Sequence, residues 1–247
     1  MTQQAWQIFS DFRTSFKNKC TEWSVQYREI LLPLTFELMK EGPEYSLENP
    51  IVYNSALDKI TIDSDIKLIV IGDNPGKNEQ LTCNQSYLVG QAGKLANGFF
   101  QNNSELGIDF RTNVIILNKT PIHTAKTNQI KKLLKIAPTE IALLMEETQT
   151  WMAEQTAKLH QKLLASNNNV QLWLVGYSEL KDKGIFSRYK KTLLESYHAN
   201  AAWDNVFVYQ HFSMNRFSID LKNHQNDLDL PHKLITLGRK HKQEIFV

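Results

Sequence analysis

Three short segments of the chain carry residue types that could act on a substrate. The first, Gly72–Gly76, places the carboxylate of Asp73 and the amide of Asn74 within a run of turn-forming residues. The second begins with an amide at Asn118, and the third begins with an imidazole at His211. A carboxylate, two amides and an imidazole in one place could orient a water molecule, hydrogen-bond a polar ligand and stabilise a leaving anion.

Each segment also has a simpler explanation when it is taken alone. All five residues of Gly72–Gly76 are turn formers, so this segment could merely reverse the chain. A buried asparagine after a strand usually caps a loop, and a lone histidine is more often structural than catalytic. The case for a site therefore depends on whether the fold brings the three segments together.

The elements that would position these segments are an alternation of strands and helices. Four nearly continuous apolar runs, typical of strands covered on both faces, lie at residues 67–71, 113–117, 170–175 and 206–209. Helical patterns lie at residues 90–101, 138–166 and 186–198, and residues 4–40 predict two helices before the Gly42–Pro43 break. The alternation predicts a three-layer α/β/α fold with a central, mainly parallel four-stranded sheet.

We expect one domain over residues 1–247, with residues 1–60 as an N-terminal helical extension and residues 61–247 as the α/β core. In an open parallel sheet, ligands bind beyond the carboxyl ends of the strands. The three segments follow three of the four predicted strands, so they should converge on one edge of the sheet. The remaining strand is followed by Gly176–Ser178, which is typical of an ordinary strand-to-helix turn.

Composition narrows the function classes. The 247 residues contain no apolar run long enough to span a bilayer, and the first residues lack a signal-peptide pattern, so we expect a soluble, cytoplasmic protein. Cys20 and Cys83 are too few for a four-thiolate metal site. The formal net charge of +2 divides into −3 over residues 1–125 and +5 over residues 126–247, which permits a polyanionic partner without demanding one.

The three segments resemble, in order and spacing, the motifs of the uracil-DNA glycosylase superfamily. Its members have a first motif of the form Gly-x-Asp/Asn/Ala-Pro-Gly/Tyr, an Asn after an apolar strand, and a C-terminal motif that is commonly His-Pro-Ser-Pro. The counterparts here are Gly72–Gly76, Asn118 and His211–Met214, and the resemblance covers about residues 66–220. It implies a base excision repair glycosylase that hydrolyses the N-glycosidic bond of uracil, or of a related deaminated base, in DNA.

The resemblance is divided between branches of the superfamily. Val89–Leu95 is similar to a Val-Gly-Arg-Ala-Gly-x-Leu segment of the iron-sulfur branch, which holds its cluster with four cysteines. This chain has two cysteines, so we expect no cluster, no other cofactor and no metal. Asn74 and the segment Asn118–Pro121 look more like the single-strand-selective and mismatch-specific branches. The chain is therefore identified as a divergent member.

The resemblance also implies catalytic roles. Asn74 stands at the water-positioning place, while Asp73 coincides with a Glu of the iron-sulfur branch and could be the base instead. His211 corresponds to a neutral histidine that donates to O2 of uracil. Asn118 would read the Watson–Crick edge of the base, accepting from N3–H and donating to O4, with Asn113 as the alternative.

Further contacts to the base and the DNA follow from the same resemblance. Contacts of the motif loops to the substrate would come from Gly72, Pro75, Gly76 and Gly90. Direct register puts Leu88 where relatives stack an aromatic ring on uracil, and Tyr87 takes that place if the loop shifts by one residue. Ser213 would bind a flanking phosphate.

The segment after His211 lacks both prolines of the family motif. In relatives this loop enters the minor groove and fills the gap left by the flipped base. The residues that could form this wedge are Met214, Asn215, Arg216 and Phe217. Alternatively, Phe212 and Phe217 are core residues.

Two rival functions stay open. A catalytically weak or inactive nucleic-acid-binding protein on the same fold is favoured by the lost prolines, the missing pocket aromatic and the modest net charge. A hydrolase of another class could use the Gly-rich turn as an anion nest, although Gly90–Lys94 lacks the glycine spacing and the Ser/Thr of a phosphate loop. For the glycosylase we expect uracil-containing DNA, single- or double-stranded, as the partner of a monomer without membrane contact.

Overall fold

A computed structural model describes residues 1–40, 42–166, 169–224 and 228–246. Within these residues, four strands form one parallel sheet in the order β2-β1-β3-β4. The strands are β1 (Leu68–Gly72), β2 (Val114–Asn118), β3 (Gln171–Val175) and β4 (Val206–Tyr209). The predicted three-layer α/β class is confirmed, and each strand begins and ends within one residue of its predicted run.

Seven α-helices occur in the described part of the chain. They are α1 (Gln3–Met39), α2 (Gln91–Asn102), α3 (Gln129–Ile136), α4 (Thr139–Ala165), α5 (Ser187–Ser196), α6 (Arg216–Asn223) and α7 (Leu230–Ile245). Three of them, α2, α4 and α5, match predicted helices, whereas α3, α6 and α7 lie outside the predicted elements. No helix in this part of the chain has the length and apolarity that crossing a membrane requires.

The expectation of two helices in residues 4–40 is wrong. A single helix, α1, runs through Pro33 and ends at Met39, just before Gly42–Pro43. Its buried stripe, which includes Phe16 and Trp23, packs against Trp151 of α4. Tertiary packing along the whole length therefore outweighs the local cost of an interior proline.

The order of the strands decides where a cleft can form. The chain moves outward from β1 to β2 on one side, whereas β3 pairs with the other side of β1 and leads outward to β4. Such a reversal leaves the carboxyl ends of β1 and β3 side by side without a helix crossing above them. The loops that begin at Asp73 and Gly176 therefore face each other across a crevice.

Aromatic packing fixes the helices on one face of the sheet. Trp173 of β3 stacks with Phe100 of α2 and Phe217 of α6, at centroid distances of 5.7 and 6.0 Å. On α7, a Cβ at Gly238 would lie 2.7 Å from the Tyr209 ring, so glycine allows this helix to lie close to β4. Helices α1, α3, α4 and α5 form a second group of mutual contacts.

Candidate active site

A cleft of about 750 Å³ lies at the carboxyl edge of the sheet, where the strand order reverses. This volume is typical of pockets for small organic molecules. Ten of the residues singled out in the sequence line it: Asp73, Asn74, Gly76, Leu88, Gly90, Asn118, His211, Ser213, Met214 and Arg216. The three segments thus converge, as expected for loops at one edge of a parallel sheet. Five other candidates lie outside the cleft lining: Gly72, Pro75, Tyr87, Asn215 and Phe217.

Asp73 is held by a lysine that the sequence analysis did not single out. The Nζ atom of Lys119 lies 2.6 Å from Asp73 Oδ1 and also donates to the carbonyl oxygens of Val175 (2.6 Å) and Gly72 (3.2 Å). The Lys119 side chain is fully buried, which lowers the pKa of its amine, while the Asp73 carboxylate opposes that shift. Three acceptors match the three N–H donors of an ammonium, so we assign an ion pair.

Gly176 makes room for this carboxylate. Its φ of +99° lies in the left-handed region, and a Cβ there would stand 2.3 Å from Asp73 Oδ1. The segment Gly176–Ser178 is therefore more than an ordinary turn, because only glycine fits both the backbone angle and the approach of Asp73. The other carboxylate oxygen, Oδ2, has a long contact of 3.4 Å from Thr127 Oγ1 and lies at the cleft.

The amide nitrogen of Asn74 is used inside the protein. Nδ2 donates to Thr124 Oγ1 at 2.9 Å, with longer contacts of 3.4 Å to the carbonyl oxygens of Ile122 and Thr124. These bonds tie the Gly72–Gly76 loop to the loop after β2. Among the described residues no donor contacts Asn74 Oδ1, which leaves that oxygen available to accept from a water molecule. Asp73 and Asn74 both stay candidates for positioning water.

His123 supports the same loop from the protein interior. Its Nδ1 lies 2.8 Å from the Pro75 carbonyl oxygen, which can only accept, so Nδ1 carries the proton. Nε2 lies 2.9 Å from the Tyr45 hydroxyl and accepts from it. Burial lowers the pKa of His123 to about 4, so the ring is neutral at physiological pH. Both nitrogens are therefore occupied, and His123 is a positioning residue.

Asn118 has an unpaired donor. It ends β2 beside Gly72, and a Cβ at Gly72 would stand 2.5 Å from Asn118 Oδ1, so glycine there makes room for the amide. The residue is 2% exposed, and its Nδ2 is buried without a hydrogen-bond partner in the described structure. A buried, unpaired N–H costs about 1–3 kcal/mol. Because this donor belongs to a residue that lines the cleft, a ligand carbonyl would satisfy it.

The alternative reader, Asn113, does not reach the cleft. It precedes β2 and therefore lies at the amino edge of the sheet, opposite to the cleft. Its amide nitrogen donates to the carbonyl of Asp65, and its amide oxygen accepts from the backbone N–H of Asp109, each at 2.8 Å. Both ends of the Asn113 side chain are thus occupied, which leaves Asn118 as the asparagine at the site.

His211 is arranged as a neutral donor. Its Nδ1 accepts from the backbone N–H of Ser213 at 3.1 Å and lies 2.8 Å from the Ser213 hydroxyl. Because Nδ1 is an acceptor, the proton of the neutral ring sits on Nε2, and no described residue contacts Nε2. Burial lowers the pKa of His211, Asp73 opposes the shift, and Lys119 adds to it. Ser213 therefore orients the imidazole as well as lining the cleft.

The tip of the His211 loop carries backbone strain. Met214 and Asn215 have φ angles of +53° and +56°, and neither is a glycine. Such residues cost about 1–3 kcal/mol each and occur where the surrounding structure enforces them. Met214 is 73% exposed at the lip of the cleft, and Arg216 is also exposed there. These two side chains are placed to contact a partner, whereas Asn215 faces a neighbouring groove.

Phe217 is not at the tip of this loop. It is 2% exposed and packs on Phe212 and Phe99 at centroid distances of 4.7 and 4.9 Å. Phe212 is likewise 2% exposed. The core role is therefore the one that the structure gives to both residues, and the wedge role expected of Phe217 is not supported. These rings anchor the loop that presents Met214 and Arg216.

On the segment before α2, Leu88 lines the cleft and Tyr87 does not. The Tyr87 ring is 1% exposed, and its hydroxyl donates to the Val52 carbonyl in the core. Leu88 has a φ of +51°, and a Cβ at Gly93 would stand 1.4 Å from its carbonyl oxygen. Gly93 is thus required for this turn. Of the two candidates for the stacking place, Leu88 is the one at the cleft, and Tyr87 is held in the core.

Glu79 is a further cleft residue that sequence reasoning missed. Its carboxylate is 6% exposed and accepts from the backbone N–H of Gly76 at 2.8 Å. Burial raises the pKa of Glu79, while backbone N–H groups of Leu88 and Gly90 oppose this shift. Glu79 therefore joins two loops of the cleft. The spacing of Gly76 and Glu79 could have indicated this contact, since a carboxylate often accepts from the backbone N–H of the residue three positions before it.

Comparison of the chain with protein-family models, with curated proteins and with solved structures gave no match. The resemblance to the uracil-DNA glycosylase superfamily therefore rests on the motif residues of the sequence alone. No group of three or more His, Cys, Asp or Glu side chains suited to a metal ion occurs in the described ranges.

Proposed function

We propose that this protein is a DNA glycosylase that hydrolyses the N-glycosidic bond of uracil, or of a related deaminated base, in DNA. The observation that carries the proposal is the unpaired Nδ2 of buried Asn118 in the same cleft as the Nε2–H of neutral His211. Uracil presents two carbonyl oxygens on either side of one N–H. Two donors, Asn118 Nδ2 and His211 Nε2, and one acceptor, Asn118 Oδ1, complement that pattern.

This arrangement favours uracil over cytosine. Asn118 Oδ1 would accept from N3–H of uracil, and Nδ2 would donate to O4. Cytosine presents an amino group in place of O4 and an unprotonated N3, so both contacts would become repulsive. Unpaired polar groups in a buried site are costly, which makes this mismatch a strong discriminator.

In the proposed reaction, the bond from C1′ of the sugar to N1 of the base breaks, and its electron pair leaves with the base. The Nε2–H of His211 stabilises the negative charge that develops at O2. A water molecule held by Asp73 Oδ2 or Asn74 Oδ1 attacks C1′ and passes its proton to Asp73 or to solvent. The departing uracil anion takes up a proton from solvent, so the products are an abasic site and free uracil. This mechanism requires no metal or cofactor.

The Asp73–Lys119 pair fixes what Asp73 can do in this reaction. Oδ1 is held 2.6 Å from the Lys119 ammonium, and Oδ2 lies at the cleft, where it is placed to orient water and to balance positive charge on the sugar. A strong base is not required, because the water attacks a carbon that already has cationic character. We expect His211 to dominate the rate, since one donor at a developing anion contributes about 10²–10³-fold.

DNA would approach from the side of the His211 loop. Met214 and Arg216 are exposed at the lip and could occupy the space left by a flipped nucleotide. The base would enter the cleft past Leu88, which offers an apolar contact without an aromatic stacking surface. A monomer in the cytoplasm remains our expectation for the working form.

The proposal is tested with end-labelled single- and double-stranded oligonucleotides that carry one uracil, treated with alkali after incubation. We expect breaks at the uracil that fall in Asn74→Ala and in the double variant Asp73→Asn with Lys119→Met, which leaves no unpaired charge in the buried pair. A matched control is Asp63→Asn, which removes an exposed carboxylate elsewhere and should leave the breaks unchanged. Binding without breaks at uracil, hypoxanthine, xanthine or mismatched thymine would overturn the catalytic proposal.

A second candidate is a nucleic-acid-binding protein with weak or no catalysis. It is favoured by the engagement of Asp73 Oδ1 with Lys119 and of the Asn74 amide with Thr124. In this case the cleft would still hold a flipped base, but no group would activate water. The same oligonucleotides separate the two functions, because the binder would retain uracil-dependent affinity without forming alkali-sensitive sites.

A further inference from the structure

A second groove lies next to the cleft, on the other side of the His211 loop. It has a volume of about 490 Å³ and is bounded by α2, α6 and α7. The polar side chains in its lining are Lys94, Asn102, Asn103, Asn215, Ser218, Lys222 and Lys233. None of the described lining residues is acidic, and three of them are lysines.

The groove and the cleft are connected through two shared elements. Helix α2 begins at the cleft with Gln91 and continues along the groove from Lys94. The loop tip contributes Arg216 to the cleft and Asn215 to the groove, with exposed Met214 at the lip. A strand with one nucleotide in the cleft must therefore cross this tip to reach the groove.

The lysines come from three separate helices, one each from α2, α6 and α7. Lys94 and Lys222 are exposed and form no ion pair among the described residues. Lysine ammonium groups that line a groove attract successive phosphates, and neutral amides and hydroxyls add hydrogen bonds to phosphate oxygens. A small anion would instead require donors that converge on one point.

We propose that this groove binds the phosphate backbone of the DNA strand that flanks the flipped nucleotide. The proposal rests on the proposed function for its choice of DNA as the partner. It adds a specific path for the strand, from the cleft across Met214 to Lys94 and Lys222. The modest net charge of the chain is consistent with this path, because the attraction is concentrated in one groove.

The test measures binding of uracil-free oligonucleotides by fluorescence anisotropy over a range of salt concentrations. Lys94→Ala and Lys222→Ala should each reduce the slope of log affinity against log salt by about 0.9 for duplex and about 0.7 for single strands. The double variant should bind roughly tenfold more weakly at low salt. Lys158→Ala and Lys162→Ala remove exposed lysines from α4 and serve as controls of equal charge.

A second experiment locates the contacted phosphate. Oligonucleotides with one uncharged methylphosphonate linkage, placed one to four nucleotides from the uracil, should bind the wild-type protein more weakly at the contacted position. Lys222→Ala or Lys94→Ala should be insensitive to the same linkage. The groove proposal would be overturned if Lys94→Ala and Lys222→Ala gave the same salt slopes as the α4 controls and if no methylphosphonate position weakened binding of the wild-type protein.

Failure of this proposal can be distinguished from failure of the proposed function. Binding of uracil-free DNA needs no catalysis, so a protein without glycosylase activity can still show the lysine-dependent slope. Conversely, the protein could excise uracil while both groove variants keep the wild-type salt slope. That result would leave the glycosylase proposal intact and would exclude the groove as a DNA-binding site. The substituted lysines are exposed, and therefore folding should be unaffected.

Discussion

Two sets of residues at the cleft differ in how their polar groups are satisfied. In the satisfied set, on the Gly72–Gly76 loop, Asp73 binds Lys119, Asn74 binds Thr124, and the Pro75 carbonyl accepts from a histidine. In the open set, which comes from the ends of β2 and β4, Asn118 Nδ2 and His211 Nε2 have no hydrogen-bond partner among the described residues. The satisfied set is completed by the protein itself, whereas the open set is left for a ligand to complete.

This difference separates residues that hold the site from residues that read a substrate. A buried polar group without a partner reduces stability, and a chain retains one where something else supplies the missing bond. A buried ion pair contributes little to the free energy of unfolding. The loss of one partner is strongly destabilising, because it leaves an uncompensated charge in the protein interior. The satisfied and the open set should therefore respond in opposite ways to substitution.

The largest effect on stability is expected in the satisfied set, at the Asp73–Lys119 pair. Lys119→Met removes the ammonium and leaves the Asp73 carboxylate buried without its partner, which should lower the free energy of unfolding by about 3–5 kcal/mol. Urea unfolding measures this change. The double variant Asp73→Asn with Lys119→Met should recover a large part of the loss. Equal losses in the single and double variants would contradict the assigned ion pair.

In the open set, His211→Ala should slow the reaction and leave the stability of the fold nearly unchanged. Loss of the Nε2–H donor should reduce the single-turnover rate of uracil excision by about 10²–10³-fold. The free energy of unfolding should change far less than in Lys119→Met, because the substitution leaves no buried charge without its partner. His198→Ala, at an exposed histidine, is the control. A rate within threefold of wild type would remove His211 from the mechanism.

The pH dependence of stability tests the satisfied set in another way, through the histidine that contacts the Pro75 carbonyl. The pKa of His123 is about 4 in the folded protein, below the usual value of 6.5, so the unfolded chain takes up the proton first. Its contribution of about 3 kcal/mol is present above pH 6.5 and is lost as the pH falls towards 4. His160, with a pKa of about 4, acts in the same direction.

His123→Asn isolates this contribution. The amide can still donate to the Pro75 carbonyl, but it does not titrate. Urea unfolding between pH 4 and 7.5 should give a shallower loss of stability in this variant than in the wild type. Identical slopes would mean that the pKa of His123 is the same in the folded and unfolded protein, which would contradict the neutral, doubly hydrogen-bonded ring.

For Asn118 the sign of the stability change is the informative quantity. Asn118→Leu replaces an unpaired amide by an apolar group of similar shape, so the free energy of unfolding should stay equal or rise by up to about 2 kcal/mol. Uracil excision should be abolished. The control is Asn54→Leu, since the buried Asn54 amide donates to the Ile116 carbonyl and accepts from Tyr87 N–H. That variant should be destabilised.

Much of the fold and many of the cleft residues could be predicted from the sequence. Parallel strands bring their carboxyl ends to one edge, so local runs of apolar residues were enough to bring Asp73, Asn118 and His211 together. The pairing of Asp73 with Lys119 was not accessible in this way. It depends on the Val175 carbonyl, which becomes a neighbour only through the strand order.

Other differences also follow from tertiary structure. Which of Tyr87 and Leu88 lines the cleft depends on the left-handed backbone at Leu88, which Gly93 permits from the next helix. Phe217 is buried because α2 and β3 supply aromatic partners that no local pattern reveals. The continuity of α1 likewise depends on its packing against α4.

The most direct measurement of the central claim is the side-chain amide signal of Asn118 in a protein labelled with ¹⁵N-asparagine. The signal is assigned by its loss in Asn118→Leu. With an oligonucleotide containing hydrolysis-resistant 2′-fluoro-2′-deoxyuridine, the account predicts a large shift of this signal, and none with the corresponding cytidine. An Asn118 signal that stays in place while the uridine oligonucleotide is bound would contradict the account.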